Sequence, residues 1–161
     1  MTLNQRVIDS PLGPVTLVAT DQAVVGVYFA EHKRRPALDD IPEPPSHAVL
    51  DAAAEAFAAY FAGEADGVDL APATSGTEFQ REVWRVLRDI PPGQTWTYAQ
   101  VAQTVGKPSA VRAVASAIGA NPLSIAVPCH RVVGSNGEIS GYVGGVERKR
   151  WLLDHEAAAR S

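Results

Sequence analysis

The first part of the chain alternates short apolar runs with turn-forming residues. Residues 5–30 are rich in β-branched, aromatic and leucine side chains, and residues 10–14 and 21–22 interrupt them with Ser, Pro, Gly and Asp. Runs of this length between such residues are typical of short strands joined by tight turns. The pattern therefore predicts a small antiparallel sheet, with strand-forming positions at Val7, Val15, Leu17, Val24, Val25, Val27, Tyr28 and Phe29.

A helical spacing of apolar residues follows. After a polar, proline-rich segment over residues 32–45, the chain is rich in alanine from Ser46 to Ala62, and Gly63 provides a stop signal. Apolar side chains recur there at helical spacing, four positions apart, as on one face of a helix. The residues of this predicted face are Val49, Ala53, Phe57 and Phe61.

Residues 64–76 are again loop-like, and we place a domain boundary within them. This boundary predicts an N-terminal α/β lobe over residues 1–75 and a second domain over residues 76–161. The charge also changes there: residues 1–75 hold four Lys and Arg against eleven Asp and Glu, whereas residues 76–161 hold ten against seven. The net charges of −7 and +3 allow the second domain to meet a polyanion, although an excess of this size is weak evidence alone.

The second domain has the pattern of consecutive helices. Thr77 with Gln80 forms the capping box of a first helix, which ends at residues 90–93. Residues 97–105 and 110–120 predict two further helices, separated by a glycine and a short turn. Helix, tight turn and helix are the elements of a helix-turn-helix, which is a common DNA-binding unit but also arises by chance.

The helix predicted over residues 110–120 has an unusual outer face. Val111, Val114 and Ile118 share one side, and small residues with a single arginine occupy the other. Small side chains permit a close approach to a narrow groove, and a lone arginine can enter a base stack. An ordinary alanine-rich surface helix fits the same spacing, so both interpretations stay open. The outer residues are Ser109, Arg112, Ala113, Ser116 and Ala120.

A glycine-rich stretch over residues 134–145 and a closing helix over residues 146–158 complete the chain. Glu156 lies on the same side of that helix as Leu152 and Leu153, which predicts that its carboxylate points inward. A buried carboxylate needs a hydrogen-bonding or charged partner.

The most informative stretch is Pro128-Cys129-His130-Arg131-Val132, which contains the only cysteine of the chain. A lone cysteine cannot form an internal disulfide, and one neighbouring histidine makes a poor metal site. It is therefore either a reactive thiol or a small buried side chain.

Composition limits the class of protein. Of 161 residues, 46% are hydrophobic and 20% are charged, as in a globular protein with a real core. No apolar run has the length of a membrane span, and residues 1–6 lack the basic and apolar regions of a secretory signal. With one cysteine, these features predict a cytoplasmic protein without a membrane partner.

Several motifs in order resemble the O6-alkylguanine-DNA alkyltransferases, the methylated-DNA–protein-cysteine methyltransferases. The similarity is specific over about residues 76–157 and looser before them, where residues 10–13 lead into the strands. It rests on residues 76–84, 90–98 and 112–114, on Asn121-Pro122, on Pro128 to Val132, on Gly137 and Gly141-Tyr142, and on Lys149 to Glu156. The resemblance implies an α+β protein, with a small N-terminal lobe of antiparallel strands and helix followed by a mainly helical, winged helix-turn-helix-like domain.

The resemblance also implies roles for individual residues. Cys129 would accept the alkyl group after passing its proton through a water to His130, which Glu156 orients. Tyr98 would protonate the leaving guanine, and Arg112 would replace the extruded nucleotide in the base stack. Further residues implied at the catalytic turn, the pocket or the DNA surface are Asn121, Ser109, Ala113, Ser116, Val132, Tyr142 and Val143.

The family interpretation predicts a suicidal repair protein, monomeric without DNA, that acts on double-stranded DNA carrying O6-alkylguanine, and also on O4-alkylthymine. No cofactor is implied, and the four scattered histidines indicate no metal site. Ala115 departs from the glycine often present in the family. A cysteine hydrolase using Cys129, His130 and Glu156 is an alternative, but no oxyanion hole is marked. A DNA-binding regulator, or a damage-binding protein without transfer, is the non-enzymatic alternative.

Overall fold

A computed structural model describes residues 2–33, 35–139 and 141–159. The chain begins with a three-stranded antiparallel sheet in the order β1-β2-β3. Its strands are β1 (Asn4–Ile8), β2 (Val15–Ala19) and β3 (Val24–Phe29). All five residues of β2 are buried because this central strand lies between its two neighbours and under a helix. The predicted antiparallel sheet is confirmed.

Helix α1 (Ala48–Phe61) packs on this sheet. His47 caps it, because its side chain accepts a hydrogen bond from the Leu50 amide. The fully buried face differs from the predicted one: Val49 and Phe61 are only half-buried. The alanines of this helix can face either the sheet or solvent, so spacing alone left its rotation open. The buried residues are Leu50, Ala53, Phe57 and Tyr60.

Residues 62–77 join α1 to the helical part without a helix or strand. Helix α2 (Glu78–Leu87) begins with the predicted capping box, and α3 (Tyr98–Val105) begins with a second one, from Thr97 and Gln100. Gly106 ends α3 in the left-handed conformation with φ +85°, which a glycine adopts without strain.

Helix α4 (Val111–Gly119) follows a turn and packs against α2 and α3. The Trp84 indole N–H of α2 donates to the Ala117 carbonyl of α4 at 2.7 Å, and both residues are buried. The predicted helix-turn-helix is therefore present and held against α2. Val114 and Ile118 face inward as predicted, and Val111 is half-buried.

The cysteine motif follows α4 and packs against α2 and the last helix of the chain. Cys129–Arg131 forms a single 3₁₀ turn, and β5 (Val132–Val133) pairs in parallel with β4 (Trp96–Thr97). Helix α5 (Val146–Ala158) packs against the 3₁₀ turn. One continuous cluster of buried apolar residues includes members from the sheet, α1 and the later helices. The fold class is confirmed, and the division at residue 75 stays a prediction.

Candidate active site

The loop before Cys129 is fixed from several sides. The Asn121 side chain donates to the Val127 carbonyl at 2.9 Å and accepts from the Leu123 amide at 2.9 Å. The Val27 amide of β3 donates to the Pro122 carbonyl at 2.9 Å, so the sheet also supports this loop. Asn121 is thus the residue that shapes the turn into the cysteine motif.

One residue of this loop has a strained backbone. Ile125 has φ +75°, a left-handed conformation that is unfavourable for a β-branched residue. Its side chain is 1% exposed, so burial holds it in place. The loop is therefore a packed support for Cys129.

Cys129 lies at a pocket of about 290 Å³. The pocket wall combines α3, α4, the 3₁₀ turn and the segment after it, and residue 33 of the N-terminal segment (residues 1–75) also contributes. Its lining residues are Lys33, Tyr98, Ala115, Ile118, Gly119, Cys129, Gly141, Tyr142 and Val143. The structure therefore brings three predicted site residues, Tyr98, Tyr142 and Val143, together with the cysteine.

The N-terminal segment contacts the residues that form one wall of the pocket. The Lys33 amide donates to the Val143 carbonyl at 2.8 Å, and the ring of Tyr142 lies 6.0 Å from that of Phe29 on β3. Tyr142 and Val143 are both 7% exposed, so they face the pocket and not bulk solvent. This wall is positioned by contacts between residues that are more than 100 positions apart.

The thiol of Cys129 is protonated at rest. Burial raises its pKa above the usual value, while the Asn121 amide and the positive charge of Lys149 act in the opposite direction. A buried thiol needs a base to become a nucleophile. The structure must therefore provide a route by which the proton leaves.

His130 is the candidate for the base that takes the proton of Cys129. It is fully buried, and its Nε2 lies 2.8 Å from Glu156 Oε2. Because a carboxylate accepts this bond, Nε2 carries the proton and Nδ1 keeps the lone pair. Nδ1 is buried and has no hydrogen-bond partner among the described residues. Burial lowers the pKa of His130 and Glu156 opposes that shift, which leaves a neutral ring able to take a proton.

Glu156 is oriented inward, as predicted, with 3% exposure. Burial by itself would raise its pKa, but hydrogen bonds from Arg131 and His130 outweigh it and hold the pKa well below the usual range. Arg131 makes two of these bonds, from Nε to Oε1 at 2.8 Å and from Nη2 to Oε2 at 2.9 Å. The carboxylate is therefore charged and fixed in position.

Sequence reasoning missed Arg131 and Tyr60 as partners of this carboxylate. The Tyr60 hydroxyl donates to Glu156 Oε2 at 2.7 Å. One signal was available for the arginine: it is a charged residue in the mostly apolar stretch 123–133, so its burial would require an acid partner. No comparable signal marks Tyr60, which is 96 positions from Glu156.

Lys149 was also missed. Its side chain is fully buried, its Nζ donates to the Gly141 carbonyl at 3.2 Å, and it lies 5.9 Å from the centroid of the Tyr98 ring. Burial lowers its pKa to about 8, and Cys129 acts in the opposite direction. The spacing to Glu156 was a signal, since residues seven apart lie on one face of a helix.

The outer face of α4 is exposed next to the pocket. Arg112, Ala113 and Ser116 of α4 and Ser109 just before it are all exposed, whereas three other residues of α4 line the pocket. Ala120, which was predicted on the same outer face, is half-buried. Ala115 is one of the three pocket residues, so the departure from glycine noted above affects the pocket wall. One short helix therefore joins an accessible surface to the cysteine.

Val132, which was predicted to bind substrate or DNA, neither lines the pocket nor lies on the exposed surface. It is fully buried in β5 and pairs with Trp96. It follows the 3₁₀ turn immediately, so its side chain enters the core and supports the motif.

Residues 2–33, 35–139 and 141–159 contain neither a membrane-spanning helix nor a metal-binding cluster. Within those ranges, no helix is long and apolar enough to cross a membrane. No group of three or more His, Cys, Asp or Glu side chains in the same ranges could hold a metal ion.

Comparisons with known proteins agree with this arrangement. Residues 78–158 match the family model for the DNA-binding domain of 6-O-methylguanine DNA methyltransferase. Over 169 residues the chain is 43% identical to the methylated-DNA–protein-cysteine methyltransferase of Shigella flexneri, which covers 97% of this chain and 96% of that relative. It is 41% identical over 155 residues to the Mycobacterium tuberculosis protein of the same name, with coverages of 96% and 92%.

Solved structures give the same result. The crystal structure of Mycobacterium tuberculosis OGT in complex with DNA superposes with a TM-score of 0.88 at 38% identity, covering 97% of this chain and 94% of that one. O6-methylguanine-DNA methyltransferase from Pyrococcus kodakaraensis superposes with a TM-score of 0.70 at 26% identity, with coverages of 96% and 99%. The similarity extends over both the sheet and the helical part.

Proposed function

Since this chain belongs to the family of methylated-DNA–protein-cysteine methyltransferases, we propose that it repairs alkylated DNA by moving the alkyl group from guanine O6 irreversibly to its own Cys129. The observation that carries this proposal is the position of the only cysteine: it lies at a pocket and directly precedes His130, whose ring is hydrogen-bonded to Glu156. An acid-supported base next to a thiol is the arrangement that nucleophilic catalysis requires.

The chemical step follows from the protonation states. The thiol proton passes through a water to Nδ1 of His130, while Glu156 holds Nε2 and stabilises the imidazolium. The Cys129 sulfur then forms a bond to the alkyl carbon as the bond from that carbon to O6 breaks. Tyr98, whose pKa burial raises, remains a protonated hydroxyl whose proton can pass to the leaving guanine. The phenolate then regains a proton from water as His130 releases the one it took, so the thiol proton is in effect moved to guanine.

The product is a thioether, which has no good leaving group and needs no cofactor to form. We therefore expect each protein molecule to act once. With a molar excess of duplex oligonucleotide containing O6-methylguanine, the number of repaired lesions should stop at one per protein molecule. Quantifying the remaining lesions by chromatography measures this ratio. A count that continues to rise with time would favour a hydrolase instead.

The exposed face of α4 is the surface that we propose for double-stranded DNA. Ser109, Ala113 and Ser116 allow a close approach, and Arg112 can fill the space of an extruded base. Extrusion would bring the lesion to the pocket, which Ala115 of the same helix lines. The likeness to a DNA-bound structure supports this placement.

Replacing Arg112 separates base extrusion from chemistry. Arg112→Ala should slow repair of O6-methylguanine in duplex DNA by about tenfold or more, because unstacking costs a few kcal/mol that the arginine helps to offset. The variant should react with the free base O6-methylguanine at nearly the normal rate, since no extrusion is then needed. Single-turnover rates on both substrates measure the difference.

Arg150→Ala is the matched control, because Arg150 is an exposed arginine on α5 and its loss removes the same charge. Arg150→Ala should slow repair of the duplex only as far as it weakens the salt-dependent binding of the protein to DNA. If Arg112→Ala loses equal activity on duplex and on free base, this arginine supports the pocket. The proposed role of Arg112 in base extrusion would then be wrong.

Four finer assignments belong to the same proposal. We expect activity on O4-alkylthymine as well, a monomer in the absence of DNA, and a cytoplasmic location. We also keep the division into an N-terminal lobe (residues 1–75) and a DNA-binding domain (residues 76–161).

A further inference from the structure

We propose that the Tyr60 hydroxyl, which comes from the N-terminal segment, is a positioning group that adjusts the basicity of His130 through the carboxylate they share. The proposal rests on the proposed function, because it concerns the base that takes the proton of Cys129. It gives the N-terminal segment a part in the chemistry beyond support for the fold.

The geometry at Glu156 Oε2 is the main evidence. This single oxygen accepts from Tyr60 Oη at 2.7 Å and from Arg131 Nη2 at 2.9 Å, and it lies 2.8 Å from His130 Nε2. Arg131 Nε occupies the other oxygen, Oε1, at 2.8 Å. Tyr60 and His130 therefore share one acceptor atom, and each affects how strongly the other is bound.

Packing alone does not require the hydroxyl. Tyr60 is 1% exposed, and the other buried side chains of α1, Leu50, Ala53 and Phe57, are all apolar. A phenylalanine ring would fill the same space and keep the edge contact of Tyr60 with Phe61. The oxygen of Tyr60 thus adds one feature to this face, which is its hydrogen bond to Glu156.

Several other polar groups face the same cluster. Arg131 and Lys149 oppose a positive charge on His130, and Cys129 precedes it in the chain. His155, next to Tyr60, is joined to the backbone, since its Nε2 lies 2.7 Å from the Tyr60 carbonyl. These groups stay in place when only the Tyr60 hydroxyl is removed.

The direction of the effect follows from charge sharing. A carboxylate that accepts a hydrogen bond from a tyrosine has less negative charge available for a neighbouring imidazolium. Removing the hydroxyl strengthens the attraction between Glu156 and protonated His130, and so makes the ring more basic. In the native protein Tyr60 therefore helps to keep His130 neutral, which is the state that can accept a proton.

Tyr60→Phe tests this inference. We expect the acid limb of the methyl-transfer rate against pH to move upward by about half a unit, because His130 is then protonated at higher pH. Above that limb, the rate should stay within about twofold of the native protein. Single-turnover transfer from an O6-methylguanine duplex between pH 5 and 9 gives the profile, and NMR titration of the His130 ring gives its protonation directly.

Tyr28→Phe is the matched control. Tyr28 is a half-buried tyrosine of the same N-terminal segment, but its ring lies against His32 and not against Glu156. Its profile should be unchanged. A rate in Tyr60→Phe that falls by the same factor at every pH, or a His130 titration that does not move, would overturn the inference. If the native protein transfers no methyl group, the proposed function fails, and the NMR titration still decides the role of Tyr60.

Discussion

Cys129→Ser should abolish methyl transfer while leaving binding to alkylated DNA intact. Serine has nearly the same shape, but its hydroxyl gives up its proton far less readily than a thiol, and the carbon–sulfur bond cannot form. We expect a loss of at least about 10⁴-fold in transfer rate. Incubation with a duplex carrying a labelled O6-methyl group, followed by counting of protein-bound label, measures this loss.

The same variant also separates the competing interpretations. The face of α4 that we propose for DNA is distinct from the thiol, so binding measured by fluorescence anisotropy should change by less than about threefold. Label transferred by Cys129→Ser at a comparable rate would mean that another side chain accepts the methyl group. That result would remove the thiol from the mechanism.

Glu156→Gln should cause the second-largest loss, and it should affect both activity and stability. The neutral amide cannot stabilise an imidazolium on His130, so transfer at neutral pH should fall by about 10²-fold or more. The substitution also leaves the buried Arg131 guanidinium without its charged partner, which should cost about 3–5 kcal/mol. The melting temperature should then fall by roughly 10 °C.

The pH dependence has a definite sign. The pKa of Glu156 is held below its value in an unfolded chain, so its stabilising contribution is present above that unfolded value and is lost as the pH falls through the folded one. The native protein should therefore lose stability in acid more steeply than Glu156→Gln does. Thermal melts of both proteins across the acid range compare the two slopes.

Glu147→Gln is the control for this experiment, because Glu147 is an exposed residue on the same helix. Its melting temperature and its transfer rate should both stay close to the native values. If Glu156→Gln keeps normal transfer after correction for its folded fraction, Glu156 is a structural partner of Arg131 alone, and the relay through His130 is wrong.

Much of this site was predictable from local sequence. Cys129 and His130 are adjacent in a motif, and the inward position of Glu156 follows from the spacing with Leu152 on α5. The start of α2 was predictable because the Thr77–Gln80 capping box uses residues only three apart. In each case the residues that made the prediction possible are neighbours in the sequence or lie on one helix.

Contacts between distant segments were not predictable in this way. The rotation of α1 depends on how its alanines pack against the sheet, and that rotation is what brings Tyr60 to Glu156. The burial of Val132 likewise depends on its pairing with Trp96, which is 36 positions earlier. Tertiary packing decides such positions, and a single sequence carries little information on it.

The central claim is that the alkyl group ends on Cys129, and intact-protein mass spectrometry tests it most directly. The native protein is mixed with excess duplex containing O6-methylguanine, and its mass is then measured before and after digestion. The account predicts that every molecule gains one methyl group and that the gain lies in the peptide containing Cys129. An unchanged mass with loss of the lesion, or a methyl group on another peptide, would contradict it.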